Sequence, residues 1–120
     1  DDALNMRVID RILRNSGFTT HLCCNGREAL DWLRAGNTCY VALMDRTMPE
    51  MDGETTTAIL TTNYPDIAVI GLTGDVHPEC IASLRKAGAV KVLAKPVSHD
   101  VLVDTITVVL RQQMRTDVGS

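Results

Sequence analysis

The chain has 120 residues, 45% apolar and 22% charged, with 12 basic and 15 acidic residues for a net charge of −3. That length fits a single domain over residues 1–120, and the composition is globular rather than disordered or fibrous. An acidic balance with 3% aromatic residues excludes direct contact with nucleic acid, and no apolar run approaches the ~20 residues of a membrane span. Cysteines stand at 23, 24, 39 and 80 without metal-type spacing, and His21, His77 and His99 are scattered. They read as reduced, mostly buried thiols of a cytoplasmic domain.

Leu4, Val8, Ile9, Ile12 and Leu13 recur at helical spacing, and Asn15-Ser16-Gly17 stops that helix. Phe18 to Cys24 mixes apolar and β-branched residues and reads as a strand. Asn25-Gly26 turns the chain into a second helix marked by Ala29, Leu30 and Leu33 and ended by Gly36. Tyr40 to Met44 is a short apolar run that stops at Asp45, the pattern of a buried strand. Pro49 and Gly53 mark a loop, and a helix follows over roughly 54–62. Five threonines make that helix poor by propensity, at up to about 0.7 kcal/mol each against Ala. Tyr64-Pro65-Asp66 breaks it. Ile67 to Leu72 is a buried strand ending at Thr73; Pro78 opens a helix that Gly88 closes; Ala89 to Ala94 is a strand ending at Lys95-Pro96. Leu102, Ile106, Val109 and Leu110 place a last amphipathic helix, and Thr116 to Ser120 reads as a frayed tail. One helix followed by strand–helix alternation predicts an α/β doubly wound parallel sheet covered on both faces.

Ligands of such sheets bind beyond the carboxyl ends of the strands. Asp45, Thr73 and Lys95 occupy successive strand ends, and Asp1-Asp2 precede the first helix. Taken singly, each has a plain explanation: a turn or cap aspartate, a β-forming threonine, a solvated lysine, an acidic helix start. Together they supply carboxylates, a hydroxyl and an ammonium at one edge. Clustered carboxylates favour a hard divalent cation such as Mg²⁺. Asp45 then has the chemistry of a nucleophile toward phosphorus, Lys95 that of a point cation, and Thr73 that of a hydrogen-bond donor to a phosphoryl oxygen.

The runs Met44-Asp45-Arg46-Thr47-Met48-Pro49-Glu50-Met51-Asp52-Gly53, Gly71-Leu72-Thr73-Gly74 and Leu93-Ala94-Lys95-Pro96 together resemble the response-regulator receiver domains of two-component phosphorelays. The resemblance covers nearly the whole chain. It implies a flavodoxin-like, CheY-like fold and phosphorylation of Asp45 by a phosphohistidine donor in the presence of Mg²⁺. It assigns the metal to Asp45, a second acid and the backbone carbonyl of Thr47. It also implies a cis Lys95–Pro96 bond, and links acyl-phosphate lifetime to Thr47 and Asp75. The family's second acid lies about sixteen residues before the glycine closing the first helix. Counting back from Gly17 selects Asp1 as that metal ligand, so the family's first strand is expected to lie upstream, absent from this sequence. Many receivers carry an aromatic residue three before the lysine; here it is Val92, so any switch runs through Thr73 and its loop or the last two helices.

Asn5, Glu79-Cys80-Ile81 and Lys95-Pro96-Val97 resemble the receivers of hybrid sensor histidine kinases, whose parent chain can be membrane-anchored. A stand-alone or transcription-factor receiver is the alternative. In both, the implied partner is a histidine kinase or histidine phosphotransfer protein, homodimerisation is open, and the domain makes no membrane contact. The resemblance implies that the receiver itself is a phospho-acceptor with self-catalysed phosphotransfer; whether the protein is an enzyme is open, since the parent chain can be a histidine kinase. A phosphatase-like hydrolase with an Asp nucleophile would need a second Asp at position 47, where Thr47 stands. A phosphate-silent interaction module is the remaining reading. Val101 and Val108 read as buried packing residues of the last helix, with a partner patch as the alternative.

Overall fold

The elements alternate much as the hydrophobic pattern dictates. The computed structural model describes residues 2–23, 25–46 and 51–119, with side chains described over 6–23, 25–46 and 51–114. Helix α1 (Asp2–Asn15) is followed by α2 (Gly26–Arg34), β1 (Val41–Asp45), α3 (Gly53–Asn63), β2 (Ala68–Thr73), α4 (Pro78–Ala87), β3 (Lys91–Ala94) and α5 (His99–Gly119). Among the described residues the strands form one parallel sheet in the order β1-β2-β3. Val41 pairs with Ala68 and Asp45 with Leu72; Ile70 pairs with Lys91 and Thr73 with Ala94.

The central strand β2 is buried along its whole length, as a strand paired on both sides and covered on both faces must be. Its alternate residues feed two cores. Ala68, Ile70 and Leu72 pack with Ile9 and Leu13 of α1 and Leu102, Ile106 and Val109 of α5. Val69 packs on the other side with Met44, Leu30 and Leu33 of α2, Leu60 of α3 and Leu84 of α4. Gly71 leaves room on that side for Leu84, whose Cδ1 would stand 3.2 Å from a Cβ there.

Caps set the helix boundaries. The Asn25 and Asp52 side chains accept from the backbone N–H groups of Glu28 (2.8 Å) and Thr55 (2.7 Å). Gly88 ends α4 at φ 126°, a left-handed value that favours glycine. The threonine-rich α3 forms despite its propensity because Thr56 and Thr57 are fully buried. Thr61 also donates to the Ala87 carbonyl at 2.9 Å, tying α3 to the end of α4.

Several expectations need correcting. Phe18 to Cys24 does not join the sheet; Cys24 lies outside the described residues, and Phe18 contributes to the α1–α5 core instead. A strand exists only against a ladder partner. Among the described residues none pairs with 18–23 in a ladder, so the β-branched pattern there forms no strand. The tail expected to fray from Thr116 continues α5 to Gly119, since no breaker intervenes before that glycine. Val8, Val101 and Val108 are about half exposed, so they lie off the buried stripes. Cys23, Cys39 and Cys80 form no disulfide and are only partly buried, not mostly buried as expected. The Lys95–Pro96 bond is cis, as the resemblance implies.

Candidate functional site

Parallel pairing brings the carboxyl ends of β1, β2 and β3 to one edge, and with them Asp45, Thr73 and Lys95. The ladder runs one residue beyond the strands: Arg46 N–H donates to the Leu72 carbonyl and Lys95 N–H to the Thr73 carbonyl, each at 2.8 Å. The backbone carrying Asp45 and Lys95 is thereby fixed before either side chain is placed.

Asp45 is 3% exposed, the mark of a carboxylate held by partners rather than by water. Lys95 reaches across the end of β2 and sets its ammonium 3.0 Å from Oδ1 and 3.1 Å from Oδ2 of Asp45. The lysine side chain is itself only 13% exposed. An isolated charge at either place would face a large desolvation cost, which the pairing offsets in part. The result is a carboxylate beside a fixed ammonium at the carboxyl edge of the sheet.

Thr73 is 1% exposed, and its hydroxyl is engaged by its own loop. The Asp75 N–H donates to Thr73 Oγ1 at 3.0 Å, and Oγ1 lies 3.1 Å from the Asp75 carbonyl. The Asp75 carboxylate in turn accepts from the His77 N–H at 3.0 Å and bonds the His77 ring at Nδ1. The His77 ring hydrogen bond, with help from its backbone N–H and the Cys80 thiol, holds the Asp75 carboxyl down to about 2. Burial and the Asp75 carboxylate push the Cys80 thiol up.

Asp1 and Thr47, the other expected metal ligands, lie outside the described residues. Among the described residues, no group of three or more His, Cys, Asp or Glu side chains converges on a cation site. Asp45 itself fits the role of one ligand. Its carboxyl supplies oxygen donors, which hard cations select.

The sequence reading gave no role to Arg46, Glu54, Ser83 or His77. Arg46 Nε donates to Glu54 Oε1 at 2.7 Å, and Ser83 Oγ donates to Glu54 Oε2 at 3.0 Å. The Glu54 hydrogen bond also raises the already high pKa of the Arg46 guanidinium. Strand parity was the available signal: Arg46 falls on the same face as Met44, which α3 and α4 cover. The cleft lined by Leu30, Arg34, Ile59, Asn63 and Tyr64 includes none of the expected site residues.

A family model for the response regulator receiver domain matches residues 1–107. The chain is 33% identical over 107 residues to hybrid signal transduction histidine kinase H of Dictyostelium discoideum, covering 85% of this chain and 8% of that protein. It is 30% identical over 100 residues to transcription factor SKN7 of Saccharomyces cerevisiae, covering 83% of this chain and 16% of that one. The chain thus spans a small fraction of these relatives' length. Among solved structures it superposes on the signal receiver domain of a signal transduction histidine kinase from Syntrophus aciditrophicus with a TM-score of 0.83 and 28% identity, covering 91% of this chain and 83% of that one.

Proposed function

The chain belongs to the response regulator receiver domain family, and from that premise we propose that Asp45 accepts a phosphoryl group from a phosphohistidine, with Thr73 and Lys95 as its catalytic partners. A carboxylate oxygen of Asp45 forms the new O–P bond as the P–N bond to the donor imidazole breaks. The bonding pair stays on the imidazole nitrogen, which takes up a proton. Lys95, already bonded to Asp45, is placed to neutralise charge on the transferred group. Thr73 would release the Asp75 backbone and donate its hydroxyl to a phosphoryl oxygen. Mg²⁺, held by Asp45 with Asp1 and the Thr47 carbonyl, would add positive charge beside that group and keep several waters. The observation that carries this reading is the buried Asp45 carboxylate fixed by Lys95 at the strand ends.

We place the domain in a cytoplasmic hybrid histidine kinase chain, with a kinase or phosphotransfer protein as donor; hybrid-kinase relatives and the residues at Asn5 and Cys80 support this. A transcription-factor response regulator is the second reading, favoured by the likeness to SKN7. Incubation with phosphoramidate and Mg²⁺, followed by intact mass measurement, tests the chemistry. The expected result is one phosphoryl increment in wild type, suppressed by a chelator and absent from Asp45→Asn. An equal increment in Asp45→Asn would exclude Asp45 as the acceptor.

A further inference from the structure

Behind the Asp45–Lys95 pair, on the other face of the sheet, lies a second polar cluster. Asp45 shares its parity with Leu43, which packs toward α1 and α5. Arg46 turns the other way, toward α3 and α4. Its guanidinium meets Glu54 in the first turn of α3, and the second oxygen of Glu54 takes the Ser83 hydroxyl of α4. Asp75 and Cys80 lie within electrostatic reach of the same guanidinium. The backbone of Arg46 is equally constrained: its N–H donates to Leu72 and its carbonyl accepts from Gly53 at 2.9 Å. The residue that follows Asp45 is therefore fastened to α4 through a single carboxylate. Both side chains of the ion pair are about 30% exposed, so water screens them only in part.

Resting on the phosphoryl-acceptor reading of Asp45, we propose that Arg46, Glu54 and Ser83 form a positioning bridge through which phosphorylation of Asp45 alters the hold on α4. A phosphoryl group adds up to two negative charges one residue from Arg46. It competes with Glu54 for the field of the guanidinium and displaces the backbone that carries it. Hydrogen bonds lose strength steeply as they lengthen or bend, so a small shift at Arg46 breaks the geometry at Ser83. The made and broken bridge are the two states that a phosphoryl group biases. This route needs no rotating aromatic ring, which Val92 could not supply.

Hydrogen exchange of residues 78–87, read by mass spectrometry on the 120-residue chain, tests it. Wild type, Ser83→Ala and Ser83→Thr are compared with and without Mg²⁺ and phosphoramidate, with intact mass taken on the same samples. Phosphorylation is expected to speed α4 exchange in wild type by about two- to tenfold, the equivalent of one net hydrogen bond. Ser83→Ala should take up phosphoryl normally, exchange at the faster rate from the start, and gain nothing on phosphorylation. Ser83→Thr keeps a hydroxyl and should restore the wild-type response. Fully phosphorylated wild type with unchanged α4 exchange, or Ser83→Ala responding as wild type does, overturns the bridge alone. A wild type that takes no phosphoryl group removes the underlying reading, and the bridge with it.

Discussion

At the residue scale, Asp45 and Lys95 stand or fall together. Removing one partner of a buried ion pair leaves the other charge uncompensated, at about 3 kcal/mol or more. Lys95→Met should therefore lower the urea unfolding midpoint and, separately, slow phosphoryl uptake from phosphoramidate. Thr57 presents the reverse case. It is fully buried and its hydroxyl has no hydrogen-bond partner among the described residues. Thr57→Val keeps the shape and removes the unsatisfied group, so urea unfolding should show a gain of about 1 kcal/mol; a loss would mean the hydroxyl is bonded. Asp75 and Asp52 both contribute to the acid limb of stability. Both carboxyls lie below their ordinary value, Asp75 through His77 and Asp52 through the Thr55 N–H. A group depressed in the folded state stabilises fully above its unfolded pKa, near 3.9, and that contribution is lost as pH falls through the folded value. Stability measured by urea unfolding should decline from about pH 4 toward the value of about 2 held by Asp75. Asp75→Asn should flatten that decline.

At the element scale, α3 is seated by one glycine. A Cβ on Gly53 would stand 2.3 Å from the Asp45 carbonyl oxygen and 2.7 Å from the Arg46 Cα, both backbone atoms. Gly53→Ala must push α3 off the end of β1, at a cost of about 1–3 kcal/mol or more. It should also slow phosphoryl uptake, because the displaced backbone carries Asp45. Normal uptake and stability in this variant would show that α3 can move independently of Asp45. The sequence made the strands legible where apolar runs end in a polar residue, at Met44-Asp45, Leu72-Thr73 and Ala94-Lys95. Each run is short, bounded by turn residues and buried on both faces. Phe18 to Cys24 carries the same local signal and stays out of the sheet, because strand formation depends on a neighbour that local pattern cannot report. The stripe on α5 was legible at Leu102, Ile106 and Val109, but not the exposure of Val101 and Val108. Apolar composition alone does not say which side of a helix meets the core.

At the scale of the whole molecule, the parallel order brings residues 28 and 22 positions apart, Asp45, Thr73 and Lys95, to one edge of the sheet. Spacing at successive strand ends made that edge readable, because each crossover returns the chain in the same direction. The network behind it was not readable. Arg46, Glu54 and Ser83 meet only because α3 and α4 pack side by side on one face, and a charged residue on a helix is most often simply solvated. No described helix is long and apolar enough to cross a membrane.

The central claim is that Asp45 is the phosphoryl acceptor, and hydroxylamine trapping tests it most directly. After treatment with phosphoramidate and Mg²⁺, hydroxylamine converts an acyl phosphate to a hydroxamate at the carboxyl that carried it, and peptide mass spectrometry locates the mark. The expected result is a hydroxamate on Asp45 alone. A mark on another carboxylate, or a phosphoryl group that hydroxylamine removes without leaving a hydroxamate on Asp45, would contradict it.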